Sequence, residues 1–399
     1  MRSFFVSACL VSTMCAGIAV AQSPVAYVYV AEDTSNTTIT SPISAYAAST
    51  EGKLTPLPGS PYTHTTGVMI GTNGTHFLTL DGNYTTTHNY VHVYKVGSNG
   101  VIGEEVSKQD LHEWCQEEGG GVLDHTGQYV YLVGSDACDP GYLSFALSKS
   151  GQLTFRGSLG VPVDAGVLPV FSGNDKFAYN FVPTPGSGAP CPTNAFIGLG
   201  RESSGALENI SFSETDPTPP AGGYQTSQLG LVTDDPTNHL ASLVTFQEGD
   251  CGQSGPTQTG LASYTIESNG DLVSTNTWEN VAPLGGDLSN GWAMKMNAAG
   301  NIFAITLGTG LQFFHFNGAN PITPFSGKQI IGDSGYINAM DWDGDNHLYA
   351  LNGKSGKLHV YSATQSGFVV EAPGSPYLPI NNCTAGGCSP QNIIVRRIP

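Results

Sequence analysis

Apolar strands recur along this chain in pairs, each pair joined by a short polar turn that carries Gly or Asn. One set of pairs reads SAYAASTEGKLTPL (44–57), HVYKVGSNGVIGEEV (92–106), LSFALSKSGQLTF (143–155), FIGLGRESSGALENISF (196–212) and ASYTIESNGDLVS (262–274). Looser copies follow at 313–325 and 358–372. A second set interleaves with the first: MIGTNGTHFLTL (69–80), VLDHTGQYVYLV (122–133), PVFSGNDKFAYN (169–180), LGLVTDDPTNHLASLV (229–244), MKMNAAGNIFAITL (294–307) and AMDWDGDNHLYAL (339–351). Alternation along VAYVYVA (25–31) and HVYKV (92–96) predicts half-buried strands. The turn Gly and Asn supply the positive φ that tight hairpins need.

Taken together, each unit is four strands, A to D, with tight A–B and C–D turns. Seven such units of about 50 residues predict an all-β, seven-bladed β-propeller of four-stranded blades. The first unit is split, with VAYVYVAE (25–32) near one end of the chain and QNIIVRRI (391–398) at the other. The ring is therefore expected to be closed by the C-terminal strand pairing with the N-terminal blade, which removes an exposed sheet edge.

Residues 1–21 read as a secretory signal peptide: Arg2, an apolar stretch from Phe4 to Val20, and the small-residue site Ala19-Val20-Ala21. Residues 22–399 are then one propeller domain, secreted or periplasmic, with no stretch apolar enough for membrane insertion. Charge is sparse and lopsided: 14 Lys and Arg stand against 32 Asp and Glu, a formal net charge of −18. That balance argues against nucleic acid as a partner. It leaves a small molecule, a sugar-like ligand or an extracellular protein, and a monomer is expected.

Of eight cysteines, Cys9 and Cys15 belong to the signal peptide. The other six, Cys115, Cys138, Cys191, Cys251, Cys383 and Cys388, form an even set without a C-x-x-C pair, which points to disulfides rather than metal. In the propeller reading all six fall in connections on one face, called top here, which also carries the long B–C and D–A loops. Pairs 115–138, 191–251 and 383–388 are expected to brace that face.

Loops on a rigid scaffold are where sites usually lie. Ionisable groups gather around the second blade and its junction with the third: His64, His88, His112, Glu113, Glu117, Glu118, Asp136 and Asp139, with Glu248 and Asp250 further round the ring. Three histidines among carboxylates are suited to acid–base work near neutral pH or to a divalent metal, the one cofactor the sequence suggests. DWDGDNH (341–347) has the opening of a calcium loop, but it aligns with the other A–B turns and lacks the Gly and Glu such a loop needs. His76, His239 and His347 hold equivalent places before strand B and read as turn residues.

The A–B turns, a C–D pattern Y-x(3–6)-G-x-L, and GKLTPLPGSPY (52–62) echoed by EAPGSPY (371–377) carry a resemblance. The chain resembles the lactonase-like seven-bladed propellers, a family that includes bacterial 6-phosphogluconolactonases and fungal carboxy-muconate cyclases. The resemblance implies Pro-His or Pro-Arg-His where strand A of the central blades begins, and a glutamate after strand B. Here the third blade has Glu118-Gly119-Gly120-Gly121 and the fifth Thr226-Ser227-Gln228, and only Glu248 matches. The expected function is thus ligand or partner binding, or a scaffold role, on the disulfide-braced top face. The alternative is a 6-phosphogluconolactonase-like hydrolase of a lactone or related small ester, with a rearranged site at His64, His88, His112 and Glu248.

Overall fold

The computed structural model describes residues 23–33, 42–65, 67–80, 89–111, 115–135, 141–161, 168–184, 193–248, 258–288, 293–326, 330–331, 337–379 and 389–398. The segment read as a signal peptide, 1–21, lies outside them. The described chain is an all-β propeller built on a four-stranded plan. Its strands fall, among the described residues, into seven sheets. From the inside outward the first is Ser389–Arg397, Ala26–Asp33, Ile43–Ala48 and Leu54–Pro56. The second is Val68–Thr72, His76–Leu80, Tyr90–Val96 and Ile102–Asp110; the third is Cys115–Leu123, Tyr129–Ser135, Gly141–Leu147 and Leu153–Gly160. The fourth is Val170–Phe171, Phe177–Thr184, Thr193–Arg201 and Leu207–Asn209.

The next two sheets depart from four strands. The fifth adds Glu214–Thr215 and Ala282–Pro283 to Tyr224–Asp234, His239–Glu248, Gln258–Ile266 and Leu272–Val273. The sixth adds Ile330–Ile331 to Met294–Met296, Ile302–Leu307, Gly310–His315 and Thr323–Pro324. In both, a D–A link doubles back and pairs along the sheet before the next inner strand begins. The seventh sheet returns to four, with Ile337–Trp342, His347–Asn352, Leu358–Ala363 and Val369–Glu371. The strand Ser389–Arg397 pairs antiparallel with Ala26–Asp33, so the two ends of the chain share one sheet.

The strands are not half-buried, as alternation alone suggests. Tyr27, Val28, Tyr29 and Val30 are all 5 % exposed or less. The reason is that a blade has a neighbour on each side. Ala26, Val28 and Val30 pack toward the seventh sheet with Leu351 and Val360. Tyr27, Tyr29 and Ala31 pack toward the second with Phe77 and Tyr94. Alternation here separates two cores rather than core from solvent, and burial of each such side chain stabilises the ring by roughly 1.5–3 kcal/mol.

Side chains stitch neighbouring sheets through backbone groups. Asn392 Nδ2 donates to Met69 O (2.9 Å), Val395 N–H to Asp341 Oδ2 (2.9 Å), Trp342 Nε1 to Lys295 O (2.9 Å) and Met296 N–H to Thr233 Oγ1 (3.0 Å). An aromatic pair on strand B recurs in the first, third and fourth sheets. Tyr29, Tyr131 and Tyr179 each donate a hydroxyl to the C–D turn carbonyl of the next sheet, at Gly100, Gly205 and Gly270 (2.8, 3.0 and 2.9 Å). The residue two before each, Tyr27, Tyr129 or Phe177, lies flat where a side chain on that glycine would stand.

The echoed PGSPY segments also gain a physical meaning. Ser60 and Ser375 accept the N–H of Ala45 and Val360 (2.8 and 2.9 Å). Tyr62 and Tyr377 bridge to Ile43 and Leu358, and each folds its hydroxyl back onto Pro58 O or Pro373 O. Both Ser–Pro bonds, 60–61 and 375–376, are cis. Tyr377 also accepts the N–H of Leu54 (3.0 Å), which fastens the seventh sheet to the outer strand of the first.

Candidate functional site

The chemistry of the fifth inner strand is committed to the interior. Gln228, which stands where the lactonase resemblance implies a catalytic histidine, is fully buried. Its Nε2 donates to Asp216 Oδ1 (2.9 Å) and Tyr264 Oη (2.7 Å), and its Oε1 accepts from Ser242 Oγ (2.7 Å). Tyr264 donates its own hydroxyl to Asp216 Oδ1 (2.9 Å). A side chain with every polar atom engaged in the core ties the strands of the fifth sheet to the segment that carries Asp216 and has none left to meet a substrate. In the third sheet the equivalent glycines break the ladder register between Gln116 and Gly121, and a Cβ on Gly121 would stand 2.6 Å from Leu132. Glu248 pairs through its backbone with Tyr224 at the top end of the fifth sheet.

Of the three histidines expected near the second blade, His64 is described. It sits on the flank of the second sheet. Its Nε2 is 3.0 Å from Gly103 O, and its ring meets Tyr62 and Tyr94 edge-on. With Tyr94, Ile102, Glu104 and Glu105 it lines an open cleft of about 470 Å³. Glu105 also contacts His92 Nδ1 at 2.6 Å. His88, His112, Glu113, Asp136, Asp139 and Asp250 lie outside the described residues, as do Cys138, Cys191, Cys251, Cys383 and Cys388. Cys115, Glu117, Glu118 and Glu248 are described by their backbone alone.

Among the described residues, the densest coupling of histidine with carboxylate lies at the opposite end of the sheets, among the A–B turns. His125, in the third sheet's turn, points Nδ1 at Asp175 Oδ1 of the fourth (2.7 Å) and Nε2 at Asp234 Oδ2 of the fifth (3.3 Å). The backbone N–H groups of His125 and Thr126 also donate to Asp175 (3.1 and 3.2 Å). Arg201 closes the same corner by donating to Asp124 Oδ2 (3.3 Å) and Asp175 O (2.5 Å).

The electrostatics follow from this geometry. The hydrogen bond to Asp175 holds His125 above its ordinary pKa, with the Asp234 charge adding to it. Burial pushes Asp234 up to about 6, against the pull of His125 and Lys295. Burial also works to raise Asp175, but the bonds from His125 outweigh it and the carboxyl lies below its ordinary value. An imidazole with both nitrogens within reach of carboxylates favours its protonated form and clasps three sheets. The sequence carried a signal for it in the D-H-T-G-Q turn (124–128), but turns of this kind read as plain hairpins.

The remaining turn histidines are structural, as expected. Asp343 Oδ1 accepts the N–H of Asp345 and His347 (both 2.8 Å). Its Oδ2 takes His347 Nδ1 (2.7 Å) and the Tyr349 hydroxyl (2.8 Å), so DWDGDNH is a hairpin with its central carboxylate spent. His239 stands 3.4 Å from Asp235 in the same arrangement, and His76 meets Thr75. Among the described residues no three His, Cys, Asp or Glu are grouped to hold a metal ion.

No protein-family model matches the chain, and no curated protein matches it in sequence. Solved structures do match in fold. The periplasmic gluconolactonase PpgL of Pseudomonas aeruginosa superimposes with a TM-score of 0.54 at 13% identity, over 94% of this chain and 99% of that one. A Bacteroides fragilis protein provisionally labelled a 6-phosphogluconolactonase gives 0.57 at 10% identity, over 94% and 98%. A Bacteroides uniformis protein with the same provisional label gives 0.52 at 12%, over 89% and 97%. At such identities the likeness is one of fold: the chain has the lactonase-like propeller architecture.

Proposed function

We propose that this chain is an exported, seven-bladed lactonase-like propeller that binds a ligand or partner rather than turning one over. Gln228 carries the reading. At a position where the lactonase resemblance implies a group facing substrate, this chain has a side chain buried and fully bonded within the core. The ring, closed by its terminal strand, is the scaffold. The binding surface is the top face, where strand ends such as Glu248 and Tyr224 meet and where the expected disulfides 115–138, 191–251 and 383–388 would brace the long connections. Export follows from the signal peptide, and the periplasmic solved neighbour is compatible with it. The acidic chain suits a small sugar-like molecule or an extracellular protein and disfavours nucleic acid.

A second reading is hydrolysis of a lactone or related small ester, the kind of activity for which the solved neighbours are named, with the rearranged site expected from the sequence at His64, His88, His112 and Glu248. Calorimetric titration with sugar acids and their lactones, with and without Ca²⁺ or Zn²⁺, separates the two. Binding without product formation supports the first. Product formation that His112→Ala abolishes establishes the second.

A further inference from the structure

The fifth sheet carries a strand that a four-stranded blade does not need. After Leu207–Asn209, the outer strand of the fourth sheet, the chain crosses to the fifth and lays Glu214–Thr215 parallel to Leu272–Val273. Only then does it turn at Gly222 and Gly223, both with positive φ, into the inner strand Tyr224–Asp234. The contact extends beyond the paired residues. Leu272 N–H donates to Ser213 O (3.0 Å), Ser274 N–H to Thr215 O (2.8 Å), Thr218 N–H to Asn276 O (3.0 Å) and Trp278 N–H to Thr218 O (2.9 Å).

Alternation along this segment sends two carboxyls inward. Ser213 and Thr215 are exposed, whereas Glu214 and Asp216 turn into the seam between the two sheets. Glu214 Oε2 accepts the N–H of Phe196, from the fourth sheet (3.1 Å). Asp216 holds Gln228 and Tyr264, from the fifth. The surroundings are apolar and aromatic: Phe196 packs on Tyr264 and Phe181, and Phe212 on Tyr179. The titratable groups that interact with Glu214 are Asp216 on its own segment and Tyr264 on the fifth sheet; Tyr179 of the fourth sheet, Asp271 at the outer hairpin and Lys176 stand round the same seam. Asp271 Oδ1 accepts the Ser213 N–H (2.8 Å), and the Lys176 ammonium is turned to Ser268 O (2.8 Å). Neither inward carboxyl has a cation among the groups that set its charge. A carboxylate buried beside another without a cation is costly, whereas a neutral carboxyl is not.

We propose that residues 213–218 form a proton-held strap across the seam of the fourth and fifth sheets, docked while Glu214 is neutral and loosened as it ionises. Burial, and then the Asp216 charge, push Glu214 up to about 8. A carboxyl raised in the docked state favours docking at low pH. The docking constant then falls as pH rises from the ordinary 4.5 toward about 8 and is level above that. Release also frees Thr226, whose Oγ1 donates to Pro217 O (2.9 Å), and removes Asp216 from Gln228. Both residues begin the inner strand that leads down from the top face, so the strap makes that surface pH-dependent.

Hydrogen–deuterium exchange of the full chain across roughly pH 5–9, corrected for intrinsic rates, tests the strap. Peptides covering 210–223 and 271–278 should open more readily with rising pH, by up to about tenfold per unit, and level off near the Glu214 transition. Glu214→Gln should remove the part of that response that extends toward pH 8 and leave the strap better protected at alkaline pH, with only the share of Asp216, whose carboxyl burial also raises, remaining. Asp216→Asn, which takes away the neighbouring charge, should move the levelling point to lower pH. A wild-type response shared equally by all seven sheets, or one that persists unchanged in Glu214→Gln, would overturn the proposal. Should Glu214→Gln fail to fold, an unmoved levelling point in Asp216→Asn overturns it equally.

Discussion

Single residues decide how one blade meets the next. Gly100 and Gly205 lie at φ 79° and 90°, and a Cβ there would stand 2.4 Å from Tyr27 and 1.9 Å from Tyr129. Alanine at either position meets both a backbone region that L side chains avoid and the face of an immobile ring. Each Gly→Ala variant should lose about 1–3 kcal/mol in chemical denaturation. Tyr131→Phe, which removes only the hydroxyl donated to Gly205, should lose about 1 kcal/mol. A loss as large as that of the glycine variant would mean the hydroxyl, not the ring, fixes the seam.

At the same scale the clasp at His125 sets a pH profile. His125, Asp234 and Glu214 are all held above their ordinary values, so each binds its proton more tightly in the folded ring than in the unfolded chain. Stability should fall as pH rises: for Asp234 between 3.8 and about 6, for Glu214 between 4.5 and about 8, and for His125 from 6.5 through its raised value. Asp175 works the other way, and its contribution is lost only as pH falls below 3.8. His76 and His315, lowered by burial, oppose this only below 6.5, so calorimetric Tm should decline from 6.5 into mildly alkaline pH, and His125→Ala should make that decline shallower while Glu214 keeps its share. A Tm that climbs over this range contradicts the assignment.

Among elements, the terminal strand and the PGSPY segments matter most. Ser389–Arg397 is the inner strand of the first sheet, and its neighbours on either side, Met69 and Asp341, bond to it through Asn392 and Val395. Removing it exposes the edge of Ala26–Asp33 and cuts the cores on both of its faces. Truncation before Ser389 should abolish cooperative unfolding of the whole ring, as read by circular dichroism, rather than fray one end. Tyr377→Phe, which leaves the Leu54 N–H without its acceptor, should weaken the seam by about 1 kcal/mol.

At the scale of the molecule, sequence and structure agree where the pattern is repeated and part where it is not. The strands, the A–B and C–D hairpins and the shared sheet of the two chain ends are legible because each recurs or has an obvious missing partner. The extra strands at Glu214–Thr215, Ala282–Pro283 and Ile330–Ile331 are two residues long and carry no periodicity to read. The clasp was hidden for another reason. His125, Asp175 and Asp234 lie in three turns about 50–60 positions apart, and only the ring's curvature brings them together. His64 was legible as a titratable residue but not as one facing outward onto Gly103. That followed from the PGSPY fold preceding it, whose geometry no spacing of hydrophobic residues records.

The buried, fully bonded Gln228 bears directly on whether this propeller performs lactonase chemistry. The direct measurement is hydrolysis of 6-phosphogluconolactone and gluconolactone by the purified protein, followed by acid release in a pH-stat with and without Ca²⁺ or Zn²⁺. Rates indistinguishable from spontaneous opening, alongside saturable binding of a sugar-like ligand or partner, are the expected result under the binding proposal. Saturable turnover above the spontaneous rate, lost on His112→Ala and kept in Gln228→Ala, would contradict it.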